Sequence, residues 1–291
     1  MSSCPIEVTA KDGVTQLYKD EYGARDKNEF STGCLWSPSG THLLETRERN
    51  KIALHKLSPE VMDSSRYYHL PDEDQKSKKS VREGNQYATT KPLQCVLRKQ
   101  VGEAVYDTRW YPLMNDQDPI TCCFATTSKD QPIHLWDMYS GTSRASYRCY
   151  DQYDELESAS CLSFNVYGNR VYAGLKSMIR CFDLTVPGRD SDAIPTSTSK
   201  KDVKGVRGII SCIQFNLQHP NIYAAGTYTN NVLVLQENHP ASDAMLEIRD
   251  LPFAVTHLSW APDTGNYLWI GGRNHDDVWC YDIRHTRRRL G

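Results

Sequence analysis

Arginine, lysine and tyrosine residues in the polar stretches between apolar segments are the side chains of this sequence best suited to bind a ligand. Guanidinium and ammonium groups hold phosphate oxygens, and a tyrosine ring can stack on an unpaired nucleobase. This chemistry fits a single-stranded nucleic acid, provided that the fold brings the residues to one surface. The candidates are Arg47, Arg49, Lys129, Arg148, Tyr150, Lys176, Lys204, Arg207, Tyr228 and Arg273.

Residues that could carry catalysis or bind a metal form no recognisable pattern. The nine histidines are scattered without an H-E-x-x-H sequence, and the ten cysteines include no C-x-x-C pair. His275-Asp276-Asp277 could hold a cation, but a single acidic turn usually faces solvent. We therefore expect no catalysis, no metal and no cofactor. An enzyme is the least favoured alternative, and bound zinc or iron would revive it.

The composition is that of a globular protein without a general attraction to polyanions. Of the 291 residues, 39% are hydrophobic and 24% are charged, and the formal net charge is −2. Nucleic-acid binding would therefore need a local patch of cations. The start, MSSCPIEVTAKDG, does not resemble a secretory signal, and no apolar run reaches the roughly 18 residues of a membrane helix. Cysteines inside strand-like runs indicate reduced thiols in the nucleus or cytosol.

The stretch QPIHLWDMYSG, residues 131–141, indicates the fold that would position the candidates. It follows TCCFATTSKD and precedes TSRASYRCY, a succession of strand, turn, strand, turn and strand. Within it, Ser128, Asp130, Trp136 and Asp137 match the signature of a WD-repeat blade. We expect the Asp130 carboxylate to accept backbone N–H groups in its turn, and Trp136 to seal one blade against the next.

The same succession occurs five times along the chain. Each copy has a first strand that ends in a large aromatic residue, then a turn, an apolar second strand and a third strand. Trp36, Trp110, Phe164, Phe215 and Trp260 are 74, 54, 51 and 45 residues apart, and a blade takes about 40–45 residues. A β-sandwich also has short strands, but it does not require this order five times. The prediction is an all-β WD-repeat β-propeller, with five repeats of an incomplete seven-bladed type.

Polar insertions lie in two of the gaps between repeats, those of 74 and 51 residues. The propeller itself is expected over residues 28–284. Residues 62–92 and 187–207 are rich in charged, serine and threonine residues and poor in aliphatic ones, so both are interpreted as mobile loops between blades.

The two ends of the chain bear on how the propeller closes. Residues 1–27 form an N-terminal segment in which VTQLY, residues 14–18, could complete the last blade. Residues 285–291 form a basic tail that could contact phosphate or act as a nuclear-import patch. The fifth repeat and the chain end together without a fourth strand, and an open propeller would expose sheet faces and an edge.

A propeller would gather the ligand-binding candidates on one face. There, the turns between second and third strands lie beside the connections between blades. The candidates in the turns are Arg47, Arg49, Lys129, Lys176, Tyr228, Asn230 and Arg273. Those in the connections are Arg148, Tyr150, Lys204 and Arg207. The carboxylates expected to dilute this ring of cations are Asp107, Asp154, Glu155, Asp276 and Asp277.

Several segments outside the WD signature are specific enough to indicate a family. They include NEFSTGCLWSPSG, VYDTRWYPLM, PIHLWD, RAS at 144–146, DEL at 154–156, DLTVPGRD and GIISCIQFN. These segments resemble the telomerase Cajal body protein 1 family of WD-repeat proteins. The similarity covers most of residues 28–284 and is strongest over 104–190.

The resemblance implies a non-catalytic scaffold, monomeric and without a membrane association. Such a protein would bind H/ACA-type small Cajal body RNAs and telomerase RNA through a short loop element, together with components of those particles. It would direct them to Cajal bodies in the nucleus, with a cytoplasmic fraction allowed. This sequence departs from the family because it has no repeat after Ile283 and no proline-rich acidic N-terminal region.

A substrate receptor of a cullin–RING ubiquitin ligase is the leading alternative. Tyr281-Asp282-Ile283-Arg284 resembles the W-D-x-R box of such receptors, so Asp282 and Arg284 would bind the adaptor. The box has low specificity, since a third strand that ends in aspartate before a cation is common in propellers.

Overall fold

In the part of the chain that the structure describes, the regular structure consists of β-strands and one short 3-10 turn at Ala241–Asp243. Branched and aromatic residues fill the strands, whereas glycine, asparagine and aspartate occupy many of the turn positions with positive φ. The all-β prediction is confirmed. The computed structural model describes residues 30–57, 93–151, 153–197, 205–284 and 289–290, and the backbone of 6–10 and 13–18.

No helix among these described residues is long and apolar enough to cross a membrane.

Five four-stranded antiparallel sheets, here called blades 1 to 5, follow one another along the chain. Within each blade the strands pair in sequence order and are called first to fourth. Blade 1 consists of β3 (Ser31–Trp36), β4 (His42–Arg47), β5 (Lys51–Lys56) and β6 (Gln94–Gln100). Blade 2 consists of β7 (Val105–Trp110), β8 (Cys123–Ser128), β9 (Ile133–Asp137) and β10 (Ser143–Tyr147). Blade 3 consists of β11 (Cys161–Phe164), β12 (Arg170–Gly174), β13 (Met178–Asp183) and β14 (Asp192–Pro195). Blade 4 consists of β15 (Ile210–Phe215), β16 (Ile222–Thr227), β17 (Val232–Gln236) and β18 (Leu246–Ile248). Blade 5 consists of β19 (Val255–Trp260), β20 (Tyr267–Gly272), β21 (Trp279–Asp282) and β22 (Arg289–Leu290).

The predicted closing strand does not complete the last blade. Residues 14–18 lie in β2 (Gly13–Tyr18), which pairs with β1 (Ile6–Ala10) in a separate two-stranded sheet. The fourth strand of blade 5 is instead β22, at residues 289–290, where Arg289 pairs with Tyr281 and Leu290 with Cys280. The prediction that the fifth repeat has no fourth strand is therefore wrong. Part of the predicted basic tail, residues 289–290, belongs to blade 5.

The interpretation of residues 187–207 as a loop is wrong for its first half. Gly188 exchanges backbone hydrogen bonds with blade 2, accepting from Arg148 N–H at 2.7 Å and donating to Ser146 O at 2.9 Å. Asp192–Pro195 then forms the fourth strand of blade 3. A four-residue strand at the edge of a sheet is too short to show an alternating pattern, although Ile194 of this strand packs against a buried cluster. The insertion at 62–92 lies outside the described residues.

A β-bulge at the start of the first strand recurs in four blades. In blades 1, 2, 4 and 5 one residue of the first strand has no partner on the second strand. Because a bulge bends its strand and increases the local twist, it fixes how the first strand leaves the preceding connection. The repeats therefore share local backbone geometry as well as sequence. The unpaired residues are Thr32, Tyr106, Ser211 and Thr256.

The aromatic residue that ends each first strand packs against the preceding blade. Trp110 is 7% exposed and its indole N–H donates to Leu35 O at 3.0 Å. The N–H of Trp260 donates in the same way to Gln214 O at 3.0 Å. Trp36, in the equivalent position of blade 1, is 44% exposed. The aromatic residues found by sequence are therefore contacts between blades, and blade 1 carries the one that remains open to solvent.

Apolar seams between successive blades form the core. Between blades 1 and 2, Leu44 and Ile52 pack with Trp110, Phe124 and Trp136 in one buried cluster. Corresponding clusters join the later blades, and the first strands β7, β11, β15 and β19 pack side by side around the centre. The prediction that Trp136 seals a blade seam is confirmed. Its N–H donates to Thr126 Oγ1 at 2.9 Å, and the ammonium of Lys99 lies 4.0 Å from its ring centroid.

The two aspartates of the WD signature have different roles. Asp130 lies in the predicted turn, but its carboxylate is 73% exposed and its ion-pair partner is Lys129, 3.9 Å away. Backbone N–H groups are accepted instead by the Asp137 carboxylate, from Tyr139 at 2.9 Å and Ser140 at 2.8 Å. Arg144 adds two further hydrogen bonds. Ser128, the last residue of β8, is buried.

Replacing Asp137 with alanine is expected to lower the free energy of unfolding by about 1.5–3 kcal/mol, since it removes charge-assisted hydrogen bonds. Burial opposes ionisation of this carboxyl, but the Ser140 N–H and the Arg144 guanidinium lower its pKa to about 2. Asp130→Asn keeps a residue that tolerates positive φ and should change stability by less than about 0.5 kcal/mol. Urea unfolding would measure both variants, and equal losses would contradict the assignment of roles.

Candidate nucleic-acid interface

The antiparallel order of strands sorts the turns of the propeller onto two faces. One face, here the connection face, carries the turns between second and third strands and the connections between blades. Backbone hydrogen bonds join the two kinds of segment, from Lys129 N–H to Ala104 O at 2.9 Å and from Arg273 N–H to Ala254 O at 2.8 Å. The other face, here the hairpin face, carries the first–second and third–fourth turns.

Most of the predicted ligand-binding residues are exposed in segments of the connection face. The cations are spread over four of the five blades and their connections, and Asn230 lies beside Tyr228 in the blade 4 turn. Lys204 lies outside the described residues. The exposed candidates are Arg49, Lys129, Arg148, Lys176, Arg207, Tyr228 and Arg273.

Four exposed residues lie on neighbouring backbone segments where blades 3 and 4 meet, and they are here called the blade 3–4 cluster: Lys176, Arg207, Ile209 and Tyr228. Lys176 and Ile209 pair in an isolated antiparallel bridge, and Ile209 O accepts the N–H of Tyr228 at 3.1 Å. The hydroxyl of Thr229 donates to Arg207 O. Backbone pairing therefore holds two cations, an aliphatic side chain and an aromatic ring beside one another.

Ile209 was not among the residues predicted from the sequence, which were cations, tyrosines and Asn230. It is 42% exposed and directly follows Gly208. Gly208 has φ +110°, and a Cβ there would collide with Thr229, so only glycine lets the connection approach the blade 4 turn so closely. An isoleucine directly after a glycine in a polar connection was the available signal.

Arg47 does not belong to the connection face. It is the last residue of β4 and is buried, and its guanidinium lies 2.8 Å from the Glu45 carboxylate. His55 contacts the same carboxylate at 2.9 Å, and Ser31 donates a hydrogen bond to it. Burial acts to raise the pKa of Glu45, but hydrogen bonds from His55, Arg47 and Ser31 lower it to about 2. The sequence prediction is wrong here because it placed a strand residue in the turn.

Tyr150 is half-buried, and one side of its ring is already covered. The guanidinium carbon of Arg189 lies 4.6 Å from the ring centroid, and Arg189 also pairs with Asp154 at 2.5 Å. Arg180 donates to Tyr150 O at 2.5 Å. These contacts tie the start of the 187–197 segment to the connection after blade 2. A base could stack only on the uncovered side of this ring, whereas Tyr228 lies next to two cations.

One of the carboxylates expected to dilute the cations lies elsewhere. Asp107 is in β7, where it accepts the N–H of Leu162 at 2.9 Å and of Thr108 at 2.8 Å. Arg109 lies 3.3 Å from it, and burial raises the pKa of the Asp107 carboxyl. This residue therefore links the first strands of blades 2 and 3 near the centre, so the prediction that it faces the ligand is wrong.

The Asp282–Arg284 pair lies on the hairpin face. Arg284 donates to both carboxylate oxygens of Asp282, at 2.9 and 2.6 Å, and stacks toward the Tyr267 ring, 5.7 Å away. Asp137 and Arg144 form a similar pair in blade 2. The recurrence of this pair at the end of a third strand indicates a structural role in the turn, and adaptor binding remains a sequence prediction.

Metal-ligating side chains do not converge in the part of the chain that the structure describes, where no group of three His, Cys, Asp or Glu residues could hold an ion. The imidazole of His275 lies 3.2 Å from the Asp277 N–H and packs on Phe253, with ring centroids 4.7 Å apart. The His275-Asp276-Asp277 turn is thus organised by hydrogen bonding and ring packing.

Successive four-stranded blades, packed through aromatic seams and carrying the Trp136 signature, define a WD-repeat β-propeller. A solved β-propeller domain of Cps50 (Swd1) from Myceliophteria thermophila has the same fold, with a TM-score of 0.57 over 86% of this chain and 64% of that chain. The two sequences are 10% identical, so the likeness concerns the fold alone. No protein-family model matches the sequence.

Curated relatives identify the family. Telomerase Cajal body protein 1 of Mus musculus is 33% identical over 93% of this chain and 46% of its own length, and the human protein is 33% identical over 91% and 43%. The Drosophila melanogaster homologue is 30% identical over 91% and 44%. The chain belongs to the telomerase Cajal body protein 1 family. It spans less than half the length of these relatives.

Proposed function

We propose that this chain is a non-catalytic RNA-binding scaffold that recognises H/ACA-type small Cajal body RNAs and telomerase RNA. The blade 3–4 cluster is the observation that carries the proposal, because Lys176, Arg207, Ile209 and Tyr228 combine charge and stacking surface in one place. The names of the relatives, which refer to telomerase and the Cajal body, support the choice of RNA.

An unpaired loop of RNA would bind this cluster through both its backbone and one base. Lys176 and Arg207 would hold adjacent phosphates, and a base would stack on Tyr228 with its edge against Ile209. Stacking of this kind contributes about 1–3 kcal/mol per base and tolerates any base, because every base has a π-face. The exposed cations of the other blades, Arg49, Lys129, Arg148 and Arg273, would extend the contact with the RNA backbone.

In the cell, such binding would let the chain accompany its RNA, and the proteins of the same particle, to Cajal bodies in the nucleus. Ultraviolet crosslinking of the tagged chain, followed by sequencing of the attached RNA, tests this directly. Enrichment of H/ACA-type RNAs at a terminal-loop element supports the proposal. A folded chain that crosslinks to no such RNA contradicts it.

Tyr228→Ala is expected to weaken binding of an H/ACA terminal-loop hairpin by about 1–3 kcal/mol, roughly 5- to 150-fold in Kd. Fluorescence anisotropy with a labelled hairpin would measure the change. Tyr228 is 46% exposed, and Tyr167, which is 55% exposed on the hairpin face, provides the matched control. Equal affinities for the wild-type protein and Tyr228→Ala would exclude the stacking role.

The cations are tested by the salt dependence of the same affinity. Removal of one cation that binds a phosphate should reduce the slope of log K against log salt by about 0.7 for a single strand. Lys176→Glu should therefore reduce the slope and weaken binding, whereas Lys56→Glu changes an exposed cation at the hairpin-face end of β5 and should leave the slope unchanged. Identical slopes for the two variants would remove Lys176 from the interface.

A further inference from the structure

Exposed apolar side chains occupy equivalent turns of the hairpin face in three consecutive blades. Leu113, Tyr167 and Leu217 lie in the first–second turns of blades 2, 3 and 4, two or three residues after the seam aromatic. Their exposures are 53%, 55% and 66%. Isolated apolar residues on a surface need no explanation, but an exposed apolar residue in the first–second turn of three successive blades marks an interaction surface.

These turns are held in place by contacts between blades. A Cβ on Gly168, which follows Tyr167, would collide with the ring of Tyr111, so the turns of blades 2 and 3 touch. The Glu237 carboxylate accepts a hydrogen bond from Tyr172 at 2.9 Å and from Asn165 at 3.3 Å, which joins blade 4 to blade 3. Because these turns are already ordered, the protein would lose less conformational entropy when a partner binds.

The apolar surface extends outward over blade 2. Ile120 and Tyr139 are both exposed on the same face. Arg144 holds the Ile120 carbonyl by a hydrogen bond, and the Asp137 carboxylate accepts the N–H of Tyr139 at 2.9 Å. The strong polar contacts of this region thus order the backbone, while the side chains of Ile120 and Tyr139 are 80% and 55% exposed.

The described part of the hairpin face also exposes carboxylates beside these apolar turns. Asp118, Asp183 and Asp263 are exposed, and no ion pair involves them among the described residues. The arginines in the described third–fourth turns are already paired with carboxylates: Arg144 with Asp137 at 2.5 Å, Arg189 with Asp154 at 2.5 Å, and Arg284 with Asp282 at 2.6 Å. The carboxylates on this face therefore remain available to an incoming cation.

We infer that the hairpin face binds a segment of a partner protein that combines aliphatic or aromatic side chains with lysine and arginine. The apolar residues would fill the arc formed by Leu113, Tyr167 and Leu217, and the cations would pair with the carboxylates beside it. The partner and an RNA would then occupy opposite faces, so that the propeller joins them. The inference stands on contacts independent of the proposed RNA site.

The test uses the full chain and a labelled amphipathic peptide in which leucine and lysine lie on opposite sides of a helix. A peptide with glutamate in place of lysine and a scrambled peptide of the same composition are the controls. Leu217→Ser combined with Tyr167→Ser should raise the Kd of the lysine peptide at least tenfold. Asp118→Lys combined with Asp263→Lys should weaken binding and reduce its salt dependence.

Variants of the connection face separate this inference from the proposed function. Ile209→Ser combined with Tyr228→Ser should leave the peptide affinity unchanged and weaken RNA binding, and the Leu217/Tyr167 variant should do the reverse. The inference is overturned if the lysine peptide binds no better than the scrambled peptide. It is also overturned if the hairpin-face variant loses RNA binding, or if sedimentation shows that the face holds a second copy of the chain.

Discussion

Trp110→Ala is expected to lower the free energy of unfolding by about 3–5 kcal/mol, the range for removing a large buried aromatic side chain. The indole fills the seam between blades 1 and 2 with Leu44, Ile52 and Phe124, and its ring lies edge-on to Phe124 at 5.7 Å. Its N–H also bonds the preceding first strand. The substitution would leave a cavity in the seam and an unmatched carbonyl, and urea unfolding followed by circular dichroism would measure the loss.

Trp36→Ala is the matched control, because the same residue type occupies the same position of blade 1. Trp36 is 44% exposed, so its removal should cost no more than about 1 kcal/mol. Similar losses at the two positions would mean that blade packing does not determine the stability of the chain. A loss confined to Trp110 would show that the seams determine it, as expected when each repeat contacts only its neighbours.

Glu45→Ala is expected to destabilise the chain by about 3–5 kcal/mol at neutral pH, because the change leaves Arg47 charged and buried beside His55. Glu48→Ala, at an exposed position three residues later, should change stability by less than about 0.5 kcal/mol. Urea unfolding would compare the two variants, and a neutral result for Glu45→Ala would show that the buried network adds nothing to the fold.

The same carboxylate should make the protein sensitive to acid. The pKa of Glu45 falls from 4.5 to about 2 in the folded chain, so the unfolded chain binds its proton more readily. Its contribution, about 3 kcal/mol, is therefore complete above pH 4.5 and is lost as the pH falls toward 2. Glu45→Gln should lose this part of the pH dependence. Parallel stability curves for the wild type and Glu45→Gln would contradict the assignment.

Features that repeat along the chain could be predicted from sequence, because each copy supports the others. The five seam aromatics, the strand order within each blade and the sealing role of Trp136 follow from periodicity and residue type. The fourth strands at 192–195 and 289–290 did not, since strands of four and two residues are too short to show a repeating pattern in the sequence. The sequence also did not predict that Asp137, and not Asp130, accepts the backbone N–H groups, because the geometry of the turn decides which carboxylate lies next to them.

The candidate site was predictable as a set of cations and not as a surface. The exposure of cations such as Lys176 and Arg207 could be predicted because the pattern of strands shows which residues lie in turns and connections. Arg47 was misplaced because one residue at the end of a strand decides whether a side chain enters a turn or a buried network. Ile209 became part of the site only through a bridge between two blades, a contact between residues far apart in the sequence.

The exposed indole of Trp36, at the end of β3, makes tryptophan fluorescence sensitive to contacts at the first strand of blade 1. In blades 2 and 5 the equivalent indole is enclosed and bonded to a neighbouring strand, whereas the Trp36 ring is partly exposed to water. An indole in water emits at longer wavelength than an enclosed one and is more accessible to collisional quenchers such as iodide. A β-sheet that docks beside β3 as one blade docks on another would therefore shift the emission of Trp36 to shorter wavelength and reduce its quenching. Trp269 is exposed to the same degree, so the signal is assigned in a Trp269→Phe background.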